Sequence, residues 1–258
     1  MNHDDRYFIE ALSRGLRVLE AFSAGRSELS LVEIAAAVGL DKSTAFRFVY
    51  TLEALGYLER DSQSKRYRPG LKTLRLGFTA LHSLDVAEVA RPYLKSLSEQ
   101  TGEASSMSIR DGTEIIYVLR ISPIQIVNLN LHLGSHLPVH CTSMGKAQLI
   151  DLSPEAIADL LGEGPYKALT QHTITNLADL NKELAQVRQN GFAVNDEELV
   201  IGLRSAAAPI RNDEGQIVAA CNISTASARV SRADLEGRLG QMVLDNANLI
   251  SKALGAAL

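Results

Sequence analysis

At 258 residues the chain is long enough for two domains, one of about 70 and one of about 170 residues, each with a core of its own. A composition 46% hydrophobic with mean hydropathy +0.01 is that of a soluble, globular protein, and no apolar run approaches the roughly 20 residues that a bilayer-spanning helix needs. The net charge of −4 excludes a uniformly basic chain, and two cysteines, Cys141 and Cys221, exclude a disulfide framework.

The polar, acidic start, Met1 to Arg6, is unlike a signal peptide, and the cytoplasm is the expected compartment. Ile9, Leu12, Leu16, Leu19 and Phe22 repeat at helical spacing and predict a first helix. Ser30 and Glu33 have the S-x-x-E spacing of a capping box. Leu31, Ile34, Ala35 and Val38 then form one apolar stripe about two turns long, closed by Gly39. Asp41 is placed to cap a third helix with Ala45, Phe48, Val49, Leu52 and Leu55 inward and Lys42, Ser43, Phe46, Arg47 and Tyr50 outward, Thr44 beside them. Two short helices joined by a glycine turn are a helix-turn-helix pattern, and the outer face offers donors suited to a major groove.

Downstream, Tyr57–Arg60 and Arg66–Arg68 flank the polar turn Asp61–Lys65, a hairpin with a basic tip. Such a wing would bring Arg60, Lys65, Arg66 and Arg68 towards phosphates or a minor groove. Residues 41–75 contain eight cations against four anions, a local +4 in a chain of −4, so positive potential gathers where the groove-reading elements lie. The expected partner is double-stranded operator DNA.

After Pro69-Gly70 a stripe of Leu71, Leu74, Phe78 and Leu81 predicts a linker helix, suited to pairing with its twin in a homodimer or to packing within its own subunit. This divides the chain into residues 1–70, 71–84 and 85–258. Asp85 caps a helix through Leu97, closed by Thr101-Gly102. Strand signals follow at Ala104–Ile109, Glu114–Ile121 and Ile126–Leu131, then helices at Met144–Leu152 (Ser143 as a cap), Pro154–Leu161 and from Leu177 to Gly191. Phe192–Asn195, Leu203–Ile210 and Ile217–Ser224 return as strands, and Ser231 with Asp234 opens a helix to about Leu254. Strands joined mostly by hairpins, with helices around them, indicate an α+β domain on an antiparallel sheet.

The most pointed segment is Leu137–Lys146, a strand end feeding a helix start with Thr142, Ser143 and Gly145, where a small carboxylate is a fitting guest. The Gly-x4-Gly-Lys-Ser/Thr spacing is missing, so a nucleotide is not expected, and no cofactor is assigned. His132, His136 and His140 recur every fourth residue beside Cys141, which keeps open a zinc sensor, a redox sensor or a cysteine-based enzyme using His140 and Cys141. Gly134 and Pro138, however, interrupt any helix that would stack these histidines, and no metal is assigned. Asp196-Glu197-Glu198 is an acidic turn, solvated or set to cap backbone or meet Arg204.

Taken together, Ser13-Arg-Gly-Leu-Arg-Val-Leu-Glu-Ala-Phe22, Glu33-Ile-Ala-Ala-Ala-Val-Gly-Leu40, Lys42-Ser-Thr with Arg47, Thr51-Leu-Glu-Ala-Leu-Gly-Tyr57, Pro138-Val-His-Cys-Thr-Ser-Met-Gly-Lys146, Gly191-Phe-Ala-Val-Asn-Asp-Glu-Glu198, Gly202-Leu-Arg204 and Ala206-Ala-Ala-Pro209 resemble the IclR family of bacterial transcription regulators over nearly the whole chain. The resemblance implies a winged helix-turn-helix, a linker helix and an effector-binding domain with a GAF- or PAS-like sheet, assembled as a dimer or a dimer of dimers, and no enzymatic activity. It also implies an effector pocket walled by Thr142, Ser143, Met144 and Gly145, with Asn195, Ser205, Asn222 and Ser224 on the facing strands. Ser143, Met144, Asn195, Ser205, Asn222 and Ser224 stand where the glyoxylate- and pyruvate-type member has Gly, Ala, Asp, Cys, Ser and Ser, which alters shape and donors. The Thr-Ser-Met-Gly run and the Asn222–Ser231 ending are similar to the subgroup controlling protocatechuate and 4-hydroxybenzoate catabolism, which implies an aromatic acid as effector.

Overall fold

The computed structural model describes residues 7–23, 25–82, 85–122 and 131–257, and the chain divides into two compact units, Met1–Ser83 and Leu84–Leu258. The strand expected at Ile126–Leu131 falls, but for Leu131, outside the described residues, as do the side chains of Phe78, Leu81 and Asp85.

In the first unit, α1 (Glu10–Glu20), α2 (Leu31–Val38) and α3 (Lys42–Ala54) precede a hairpin of β1 (Leu58–Arg60) and β2 (Tyr67–Pro69), then α4 (Leu71–His82). The capping box forms as read: Glu33 N–H donates to Ser30 Oγ at 3.3 Å, and Ser30 N–H to Glu33 Oε2 at 2.7 Å. Gly39 ends α2 at φ 67°, a conformation that costs a residue without Cβ little, and Asp41 caps α3 by accepting from Thr44 N–H. Ile34, Val38, Val49, Leu58 and Tyr67 bury against one another, with Val18 from α1. The N-terminal stripe is corrected here: Ile9, Leu12 and Leu16 are 51–64% exposed, and α1 reaches the core through Val18, with Leu19 and Phe22 half-buried beside it. Leu55, expected inside, lies past the last turn of α3 and is exposed.

In the second unit a six-stranded sheet runs β5-β4-β3-β8-β7-β6, every neighbouring pair antiparallel. Its strands are β3 (Ala104–Asp111), β4 (Glu114–Ile121), β5 (His136–Pro138), β6 (Ala193–Asp196), β7 (Leu203–Arg211) and β8 (Ile217–Ala226). The α+β class expected from the strand and turn pattern is what forms. One sheet face is covered by α5 (Asp85–Thr101) and α10 (Gly240–Ala253), which continues from the short α9 (Arg232–Asp234) through a π turn. Ser105 Oγ ties that face to α5 by donating to Leu94 O. The other face is covered by α6 (Ser143–Leu149), α7 (Pro154–Leu161) and α8 (Leu177–Asn190), around a core of Ile115, Val139, Met144, Leu149, Ile157, Leu180 and Leu184.

Two local features set the site. β4 has one extra residue against β3: Leu119 opposes Met107 but Tyr117 opposes Ser108, so Val118 is a bulge. Strand side chains alternate, and one inserted residue reverses that alternation. Tyr117 and Arg120 therefore face the same side, that of Ser106 and Ser108. The second feature is the approach to α6, where β5 runs into a 3₁₀ turn, Val139–Cys141, and Thr142 rather than Ser143 is the N-cap, accepting from Gly145 N–H. A Cβ on Gly145 would collide with Val139 Cα and O and with Thr142 Oγ1, so only glycine lets α6 settle onto that turn.

Ser30, through its backbone and side-chain hydrogen bonds, and then Arg66 lower the Glu33 carboxyl to about 2. The linked stabilisation is complete above the ordinary value of 4.5 and is lost as pH falls towards about 2. The difference in melting temperature between the wild type and Glu33→Gln is expected to be constant above about pH 5 and to shrink steadily below it. Circular-dichroism melts across that range check this; a difference independent of acid contradicts it.

Candidate functional site

The outer face of α3 presents Lys42, Ser43, Phe46, Arg47 and Tyr50 to solvent, with Thr44 half-buried at the capped end. The Phe46 and Tyr50 rings lie 6.1 Å apart, one helical turn from each other. No carboxylate pairs with Lys42 or Arg47 among the described residues, so both charges stand open to a ligand. The hairpin differs in detail from the sequence reading. Arg66 donates to Glu33 at 2.8 Å and to Glu28 O at 3.0 Å, which binds the wing to α2. Arg68 pairs with Glu59, and Arg60 lies over the Tyr67 ring. Lys65 sits in the turn at φ 58°, its ammonium donating to Ser62 O.

In the second unit Thr142, Ser143 and Met144 of the α6 start meet Asn195 of β6, Ser205 of β7 and Asn222 and Ser224 of β8 around one cavity. Tyr117, Leu199 and Leu203 complete its wall; these three were missed in the sequence, and Gly145, which was included, packs on Val139 instead. The strand register explains the meeting, since Asn195 opposes Ser205 and Ser205 opposes Ser224 on one sheet face. Ser143 Oγ and Ser205 Oγ are 2.7 Å apart, and Asn222 Nδ2 donates to Ser224 Oγ at 3.1 Å. Asn195 is committed to backbone: its Nδ2 donates to Cys141 O and its Oδ1 accepts from Glu198 N–H. Among the described residues Asn222 Oδ1 is buried without a partner. Burial pushes the Tyr117 phenol up to about 12, so it enters any contact as a neutral hydroxyl. The cavity volume is ≈ 10 Å³, about the space of one water.

Behind this wall lies a charge that the sequence reading did not anticipate. Lys146 is wholly buried, and its ammonium donates to Glu198 Oε1 at 2.6 Å and to Glu183 Oε1 at 2.9 Å. Glu198 is 7% exposed, and burial raises its carboxyl above the ordinary range against the pull of Lys146. Of the acidic turn, Asp196 does meet Arg204 at 2.6 Å, but Glu198 is buried rather than solvated.

The thiol and imidazole of the alternative reading do not form a reactive pair. Cys141 is buried and its thiol pushed up to about 12, mainly by burial, which keeps it protonated and inert at neutral pH. His140 Nε2 lies 3.2 Å from Lys167 O, its ring against Tyr166, and burial lowers its pKa. His136 faces Glu114, and among the described residues no three His, Cys, Asp or Glu side chains gather as metal ligands.

Comparison with known proteins matches residues 11–62 to the IclR helix-turn-helix domain and residues 78–252 to the bacterial transcriptional regulator IclR C-terminal domain. The chain belongs to the IclR family. Among relatives, the Pca regulon regulatory protein of Pseudomonas putida is 35% identical over 241 residues, covering 93% of this chain and 82% of that protein. The HTH-type transcriptional regulator XynR of Escherichia coli K12 is 33% identical over 248 residues, covering 96% and 98%. The crystal structure of Thermotoga maritima IclR superposes with a TM-score of 0.71 at 27% identity, covering 96% of this chain and 100% of that one. An IclR homologue from Microbacterium hydrocarbonoxydans, complexed with 4-hydroxybenzoate, has the same fold, with a TM-score of 0.81 at 24% identity and coverage of 96% and 100%.

Like its IclR relatives, this chain is a DNA-binding transcription regulator whose C-terminal domain binds a small-molecule ligand, and not an enzyme. Among its described residues no helix is long and apolar enough to cross a membrane. Within the effector domain the Lys146 ion pairs hold α6 in place. Lys146→Ala strands a buried carboxylate and is expected to cost about 3–5 kcal/mol, whereas Lys182→Ala, which breaks the exposed pair with Asp179, is expected to leave stability nearly unchanged. Urea denaturation of the two variants measures the contrast.

Proposed function

We propose that the chain senses a small carboxylic acid, an aromatic acid first, in the cavity beneath α6, and thereby adjusts the hold of a two-fold assembly on operator DNA that controls catabolic genes in the cytoplasm. In this reading residues 1–70 bind DNA, 71–84 link, and 85–258 bind the effector. The observation that carries it is the convergence of Thr142, Ser143, Met144, Asn195, Ser205, Asn222 and Ser224 on a single cavity. Their hydroxyls and amides suit a small polar acid, and the buried Met144 and Tyr117 give the same cavity apolar and aromatic walls. The relative that governs the Pca regulon supports catabolic control.

On DNA, Lys42, Ser43, Thr44, Phe46, Arg47 and Tyr50 take the major groove, while Arg60, Lys65 and Arg68 supply backbone contacts from the wing and Arg66 holds the wing in place. Self-association is supported by apolar side chains left without cover: Leu12 and Leu16 on α1, and Leu71, Leu74 and Leu76 on α4, all at least half exposed. A two-fold dimer would cover them and present two reading helices to a palindromic site.

Arg47→Ala is expected to lose about 1–3 kcal/mol on the best operator and to relax sequence preference, while Lys65→Ala weakens all sequences alike and lowers the salt slope by about 1. Fluorescence anisotropy on a set of promoter fragments at several salt concentrations separates the two. Coupling between the sites is reciprocal, so the factor by which the acid changes operator affinity is expected to equal the factor by which operator changes acid affinity. Calorimetric titration of the acid with and without operator duplex checks this, and equal affinities in the two titrations would remove the regulatory link.

A further inference from the structure

The effector cavity lies against a row of side chains that includes an arginine of unusual circumstance. Arg120 of β4 opposes Ser106 of β3, and Ser106 opposes Asn222 of β8, so the three stand abreast on adjacent strands. Neighbouring strands run about 4.8 Å apart, so this row is continuous with the wall to which Asn222 belongs. The Val118 bulge turns Tyr117, another wall residue, to the same face as Arg120, and the Arg120 charge acts on the Tyr117 phenol, drawing its pKa down against the effect of burial.

The other half-buried arginines of this unit are satisfied: Arg204 pairs with Asp196 and Arg211 with Asp151. Arg120, also half-buried, has only Ser106 Oγ, at 3.2 Å, and no carboxylate within ion-pair reach among the described residues. A guanidinium has five N–H donors in a fork that matches a carboxylate, and withdrawing it from water without an anion is unfavourable. In the same row Asn222 Oδ1 is a buried acceptor without a donor. The row thus lacks one anion and one hydrogen-bond donor.

We propose that Arg120 fixes the carboxylate of the effector and that Asn222 Oδ1 accepts from a hydroxyl of the same molecule, so that the ligand class is a hydroxylated carboxylic acid. This rests on the effector reading above and adds to it the residues that distinguish such an acid from its amide and from its deoxy form. Ser106, fully buried between them, holds the guanidinium in the row.

The test uses the full-length protein and three probes: 4-hydroxybenzoate, 4-hydroxybenzamide, which keeps the shape without the charge, and benzoate, which keeps the charge without the hydroxyl. Titration calorimetry is run on the wild type, Arg120→Gln, Arg120→Lys, Asn222→Ala and Met144→Trp. Arg120→Gln is expected to weaken 4-hydroxybenzoate about 10- to 100-fold and to leave 4-hydroxybenzamide within about 2-fold, and Arg120→Lys to recover part of the loss. Asn222→Ala is expected to erase the preference for 4-hydroxybenzoate over benzoate. A loss that strikes acid and amide equally marks Arg120 as structural and overturns the proposal. If Met144→Trp abolishes binding while Arg120→Gln leaves it intact, the cavity stands and the assignment of Arg120 falls. If the wild type binds none of the probes, the aromatic-acid reading fails, and this proposal with it.

Discussion

The second unit depends on a lysine with no access to water. Lys146 is on a helix whose every residue is buried, and its charge is tolerable only because Glu183 of α8 and Glu198, just past β6, both reach it. Desolvating such a charge costs several kcal/mol, and paired carboxylates offset this only in good geometry. The positions of α6, α8 and the end of β6 are therefore set together. Since Ser143 and Met144 lie within one turn before Lys146, and Asn195 accepts from Glu198 N–H, the same constraint places two walls of the cavity beneath α6.

Among its described residues the first unit has no buried charge, and it relies on helix-end chemistry. The Ser30–Glu33 box starts α2, Gly39 ends it, and Asp41 starts α3 two residues later, so the angle between the two helices follows from three short-range conformational choices. Arg66 extends this logic across the unit: by pairing with Glu33 it ties the wing to the same cap. The residues that remain open, Lys42 and Arg47 among them, have no ion pair among the described residues, which is why the local excess of positive charge falls on the outer face of α3.

How much of this was legible from residues alone divides along physical lines. Local signals held: the capping box, the Asp41 cap, the hairpin, the Pro154–Leu161 and Leu177–Asn190 helices and the strands on either side of Gly112 and Gly215 depend on neighbours a few positions away. Of the cavity, the Thr142–Gly145 segment was legible from the residues themselves, but the facing residues only through family likeness, because they lie on separate strands that the register of β6, β7 and β8 brings together. Long-range features escaped. Nothing near Lys146 announces its burial, because its partners are 37 and 52 residues away. The Val118 bulge depends on pairing register, so the common facing of Tyr117 and Arg120 could not be read from alternation. The α1 stripe had the right period but the wrong destination, since periodicity identifies an apolar face and not what covers it.

The cavity proposed for the effector is also tight. A space of ≈ 10 Å³ is far below the roughly 300 Å³ of ordinary small-molecule pockets, so on the reading proposed above an acid would enter only where side chains such as Met144 gave way. Its apparent affinity would then be diluted by the scarcity of the open form, and the rate of capture would follow the rate of opening. Release would use the same opening, and occupancy would average over brief fluctuations in supply.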